Sequence, residues 1–170
     1  IMPKIISSYV KFIDGITSIT GRITIYLVFV LMGILVLSFV TRNIINFPLM
    51  WIIEMAQFTM TAYYIMGGAY SMMDDQHVRM DLVYGSFSEK NKARMDLFTS
   101  GFLIFYLITL LIGSYSSLIY TINTNQKLFT AWAPYVWPIK TIMSFGILLM
   151  LLQSFSMFFK DLAKVKGKKI

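Results

Sequence analysis

Four stretches of this chain run for about the length of a membrane crossing without one charged side chain: residues 23–41, 55–73, 97–126 and 141–159. A helix needs about 20 residues to cross roughly 30 Å of hydrocarbon, and it satisfies its own backbone while doing so. Charge brackets every run: Arg22 and Arg42, Glu54 and Asp74, Asp96 and Lys127, Lys140 and Lys160. Charged residues make up only 14% of the whole, against about 25% in a soluble domain. The mean hydropathy is +0.69. Lipid, not water, therefore solvates most of the surface. The expected fold class is all-α: a single integral membrane domain over residues 1–170, with transmembrane helices at about 23–42, 48–73, 97–122 and 139–159. Pro48 fits the first turn of the second helix. The third run is too long for one crossing, so its helix tilts or emerges into water.

Lysine and arginine set the orientation. Lys4, Lys11 and Arg22 precede the first run; Arg79, Lys90, Lys92 and Arg94 lie between the second and third; Lys160, Lys164, Lys166, Lys168 and Lys169 close the chain. The opposite side holds only Arg42, Lys127 and Lys140. The positive-inside rule places both termini and the loop 74–96 in the cytoplasm, and the loop 123–138 outside. The net charge of +7 is thus a matter of topology and does not imply nucleic acid as a partner. Residues 4–22 place Ile6, Val10, Ile13 and Ile16 at helical spacing among Lys4, Lys11 and Asp14. That spacing predicts an N-terminal amphipathic helix in the cytoplasmic interface. The first apolar run is too long for the core of a cleaved signal.

Little here can do covalent chemistry. With no cysteine and one histidine, disulfides, zinc–thiolate sites, iron–sulfur clusters and multi-histidine ligation are excluded. No nucleophile–base pair or phosphate-binding loop appears, so no enzyme and no cofactor are expected. The histidine sits in "MMDDQHVRMDL", residues 72–82, where Asp74, Asp75, His77 and Asp81 are side chains of the kind that ligate a divalent metal. One imidazole is too few, and Arg79 opposes a cation. A salt-bridged turn with His77, Arg79 and Asp81 is expected instead, followed by a helix capped at Ser88.

Glu54, near the outer end of the second run, is an ionisable residue of the kind that marks function in a membrane. Pairing with Arg42 or Lys127, or a contact to a partner, is the expected role; ion coupling is the sharper alternative. In "LFTAWAPYVWPIK", residues 128–140, Trp132, Tyr135 and Trp137 stand among Pro134 and Pro138. The aromatics suit the membrane–water boundary, and the prolines force the chain to turn. This segment reads as an anchor, a docking surface for another protein, or both. "GGAY", residues 67–70, offers small side chains for close helix packing.

Together these motifs resemble the small membrane subunit of tripartite ATP-independent periplasmic (TRAP) transporters. Trp51, Glu54, Gly68, Ala69, His77, Arg79, Asp81 and Leu82 follow the family pattern in order, as do Trp132, Pro134, Trp137, Pro138, Lys140 and Gln153. The chain departs from that pattern in having one acid near Glu54, an acidic pair before His77, and Ser144 where relatives often have proline. The resemblance implies a non-catalytic subunit of the bacterial inner membrane. Its implied partners are a large elevator-type permease subunit driven by sodium and a periplasmic binding protein that delivers an organic anion. Trp51, Glu54, His77, Arg79, Asp81, Trp132, Pro134, Trp137, Pro138 and Lys140 are then candidate structural or subunit-interface residues. Two alternatives stand beside it: a self-contained four-span channel or proton-coupled transporter using Glu54, and a membrane enzyme using His77.

Overall fold

The computed structural model describes residues 4–74 and 89–165, which form four helices. They are α1 (Lys4–Asn43), α2 (Trp51–Met73), α3 (Glu89–Asn123) and α4 (Trp137–Val165). Three of them, α1, α3 and α4, are long and apolar enough to cross a membrane. α2 is not among them; it carries Glu54, Gln57, Thr59 and Thr61 in its first half.

α4 lies at the centre, packed against α3, α2 and, less extensively, α1; α2 is also packed along α1. Burial follows that order: 39% of the most apolar stretch of α4 is buried, against 6% for α1 and 6% for α3. α1 and α3 are therefore edges. Neighbours in sequence run antiparallel: Gly21 and Gly67 of one hairpin meet Tyr70 and Thr24, and Ser114 of α3 bonds Ser144 of α4 at 2.7 Å. α2 and α4 run parallel, with Gly146 against Ile65 and Gly68 against Met150. The start of α1 and the end of α4 consequently share one end of the molecule.

The expected interfacial helix is not separated from the first span: α1 runs unbroken through 40 residues. At about 1.5 Å per residue that is about 60 Å, twice the hydrocarbon thickness. Its apolar stripe also faces inward. Val10 and Ile13 are each only 3% exposed, and the Tyr9 ring meets Phe159 of α4 edge-on at 6.1 Å. The stripe packs on protein, which explains why no bend into the interface is needed.

The inward face of α1 continues as a heptad seam. Val10, Ile13, Thr17, Thr20, Thr24, Leu27, Leu31, Ile34, Ser38 and Thr41 alternate by three and four residues, and every one is buried or half-buried. Half of that seam is serine or threonine, while Tyr26, Phe29, Val36 and Phe39 point outward. This inverts the soluble pattern. In lipid, large apolar side chains gain nothing by hiding, and small ones let backbones approach. Thr20, Thr24 and Thr41 give their hydroxyl protons to carbonyls one turn back in α1, at 2.8–3.0 Å, so each presents a methyl group to its neighbour.

"GGAY" divides its work between two neighbours. A side-chain atom at Gly67 would touch Thr24 of α1 at 3.4 Å, and one at Gly68 would press on Met150 of α4 at 3.1 Å. Ala69 is completely buried. Nearby, Met72 of α2, Leu107 of α3 and Leu151 of α4 form a buried apolar cluster.

α2 begins at Trp51, three residues after Pro48, not in a turn that contains it. α1 is closed first: Ile44 N–H and Ile45 N–H donate to Val40 O, and Phe47 N–H donates to Thr41 O. Asn46 then reverses the chain with φ of 56°, a conformation asparagine tolerates.

Candidate functional site

At the end opposite the chain termini, the segment after α3 folds back on itself. Leu128 N–H donates to Pro134 O at 3.0 Å, and Val136 N–H donates to Gln126 O at 3.1 Å. Lys127 and Tyr135 form an isolated antiparallel bridge, and the Lys127 ammonium lies 4.6 Å from the Tyr135 ring centroid. Asn125 and Ala133 both take left-handed φ values of 47°. For Ala133, squeezed between Trp132 and Pro134, that is a strained conformation. Pro138 then sits in the first turn of α4, where a missing N–H loses no helix bond.

Lys140 ties this turn to α3. Its ammonium donates to Ser117 Oγ at 2.9 Å and to Thr121 Oγ1 at 2.6 Å. Thr121 is fully buried, and its hydroxyl also lies 3.1 Å from Gln126 Oε1. The cation thus rests at the C-terminal, electronegative end of α3. Trp132, Tyr135 and Trp137 remain 44–46% exposed. Trp132, Pro134, Trp137, Pro138 and Lys140 thus lie along one turn and the first turn of the helix it leads into.

Trp51 opens α2 half-exposed, and Glu54 one turn later is only 5% exposed. The register of α2 against its neighbours puts Glu54 at the same end as this turn, level with residues 37–38 of α1 and 135–136 before α4. Its Oε2 is buried without a hydrogen-bond partner among the described residues. The expected pairing is not made: Arg42 is exposed, and Lys127 lies over Tyr135. His77, Arg79 and Asp81 lie outside the described residues, as do Asp75, Leu82 and Ser88.

Sequence reasoning missed a second polar centre, at the opposite end. Asp14 of α1 accepts from Gln153 Nε2 at 3.0 Å and Ser156 Oγ at 3.2 Å, and pairs with the Lys160 ammonium at 2.7 Å. Thr17 Oγ1 donates to Gln153 Oε1 at 2.9 Å. Thr17, Gln153 and Ser156 are fully buried. Each polar atom of the group is matched, as a low-dielectric setting demands. The available signal was the spacing of Gln153, Ser156 and Lys160, which puts all three on one face of α4. No group of three or more metal-ligating side chains occurs among the described residues.

The molecule thus presents polar fasteners between its own helices and an aromatic turn, on a frame of apolar helices. Comparison with known proteins agrees with a membrane assembly. No curated protein matches the chain. A family model described as "Tripartite ATP-independent periplasmic transporters, DctQ component" matches residues 31–164. That stretch includes the last third of α1, all of α2, α3 and the turn after it, and α4 almost to its end. This membrane protein therefore belongs to the DctQ component family of tripartite ATP-independent periplasmic transporters.

Proposed function

We propose that the chain is the fixed, non-catalytic small subunit of a sodium-driven transporter in the bacterial inner membrane. In this reading it braces a large elevator-type permease subunit for uptake of an organic anion, which a periplasmic binding protein delivers. All four helices cross the bilayer, α2 included: its 23 residues reach about 35 Å, and α1 and α4 cover much of its polar surface. Both termini face the cytoplasm, where most of the lysine and arginine lies. One observation carries the proposal beyond family membership: the outer faces of α1 and α3 are apolar and uncovered. Phe29 of α1 is 65% exposed and Phe105 of α3 is 72% exposed. The aromatic turn at residues 128–140 stands outside, available to the binding protein.

The test is co-purification and transport. In mild detergent the chain should elute with a much larger membrane protein, and deleting it should abolish uptake in proteoliposomes. Trp132→Ala with Trp137→Ala should lower uptake at limiting binding protein more than at saturation. Recovery of the free chain alone, with uptake surviving its deletion, would end the proposal.

Glu54 supports a second reading, a self-contained proton-coupled transporter, because its buried Oε2 has no partner among the described residues. That reading requires flux through the reconstituted chain alone, abolished by Glu54→Gln. Absence of flux removes it.

A further inference from the structure

A groove of about 310 Å³ runs between α1 and α2. It begins at Gly21, Tyr70 and Ser71, beside the C-terminal end of α2, and reaches Phe29 and Tyr63, level with the middle of α2. A side-chain atom on Gly21 would collide with the Tyr70 ring, so the absent side chain lets Tyr70 stand as one wall. Gly67 likewise leaves the groove open along α2. We propose that this groove binds one acyl chain of an anionic phospholipid of the inner leaflet, with its headgroup phosphate on Arg22.

Shape selects the occupant. From Gly21 to Phe29, α1 rises about 12 Å. A volume of about 310 Å³ over that length leaves a mean cross-section of about 26 Å². A helix about 10 Å across needs three times as much, whereas a single hydrocarbon chain fits. Polarity selects it too. The inner end carries Ser71 and Tyr70, and the deeper part is walled by Ile25, Val28, Phe29 and Tyr63, with the Thr24 hydroxyl turned to Thr20 O. A polar rim above a mostly hydrocarbon wall matches the order of a lipid standing in its leaflet.

Charge then picks the headgroup. Arg22, Ile25 and Phe29 follow one another by three and four residues, so they share a ridge of α1. Ile25 and Phe29 line the groove, which puts the guanidinium at its mouth. Lys11 lies about three turns further down the same ridge. Both cations are exposed, and among the described residues neither is in either of the ion pairs, which join Lys160 to Asp14 and Lys164 to Asp161. An arginine beside a lipid groove suits phosphate by its forked donors. The leaflet assignment rests on the orientation proposed above; the groove and its ligand class do not.

Native mass spectrometry of the full chain in mild detergent, titrated with phosphatidylglycerol or phosphatidylcholine of equal chain length, tests this directly. The chain should retain phosphatidylglycerol in preference. Arg22→Gln should weaken that retention about fivefold, the factor equivalent to about 1 kcal/mol per basic residue near an anionic lipid, and leave phosphatidylcholine unchanged. Gly67→Leu should fill the groove and reduce retention of both lipids. Val28→Phe fills it from the other wall and serves if Gly67→Leu loses the wild-type circular dichroism or elutes as aggregate. Unchanged retention in Arg22→Gln and in a folded filling variant would overturn the proposal. So would loss of a co-purified permease from the filling variant with lipid retention intact. Labelling of Lys11→Cys from the periplasm would refute the orientation alone and leave the site standing.

Discussion

Replacing Gly146 with alanine probes a close approach of α4 to α2. The added Cβ would overlap Ile65 Cγ2 and come within 3.4 Å of the Ile65 carbonyl carbon. Isoleucine has one strongly preferred χ1 in a helix, so the methyl cannot swing aside, and α2 and α4 must separate. Overpacking of this kind costs about 1–3 kcal/mol. Alanine also gains roughly 0.5–1 kcal/mol over glycine as a helix former, which masks part of the loss. Gly113 in α3 supplies the control, because the same atom there meets nothing within 4 Å. The difference between Gly146→Ala and Gly113→Ala isolates packing, and it should be about 1–3 kcal/mol. Titrating a denaturing detergent into mild micelles while following helix content measures both. Adding Ile65→Ala to Gly146→Ala should make the two changes strongly non-additive, as touching residues are. Equal stability of the two glycine variants, or strict additivity in the double variant, would refute contact between α2 and α4 at this point.

Asp14→Ala leaves the buried Gln153 amide without its acceptor and Lys160 without its counter-ion. Unfolding in the same detergent titration should become easier by about 1–3 kcal/mol. Thr17→Val should cost about 1–3 kcal/mol because Gln153 Oε1 loses its buried donor. Thr24→Val should change stability by less than about 0.5 kcal/mol, since that hydroxyl bonds only its own helix; a similar loss from both would show that the seam needs the hydroxyls. Ala133→Gly relieves a left-handed alanine that costs roughly 1–2 kcal/mol. It should raise the thermal midpoint or leave it unchanged, and a clear fall would count against the geometry of the outer turn.

Much of this architecture was legible because lipid leaves the chain few choices. Charge-free runs gave the helices, and the prolines at 134 and 138 gave the turn before α4. The small residues at 67–69 were legible as close packing, although not that Gly67 serves α1 and Gly68 serves α4. The stripe of Ile6, Val10, Ile13 and Ile16 was a true pattern with two possible destinations. Amphipathicity alone does not distinguish a headgroup layer from another helix. The Asp14 centre stayed hidden for a related reason: its partners begin at Gln153, and only the fold brings those positions together. Threonine in the seam of α1 escaped notice because apolar periodicity seeks large residues inside, and in lipid the interior is where the small ones go. Glu54 stood out in the sequence as an ionisable residue near the end of a span, but its burial and the absence of Arg42 or Lys127 beside it come only from the fold.

The arrangement of helices around α4 has one more consequence. α1 and α3 are not drawn together, so the helices do not form a ring, and what lies between them is side chain. A solute crossing the membrane needs walls on every side of its path. In the proposed complex this chain supplies at most one of those walls, and the large permease subunit supplies the others.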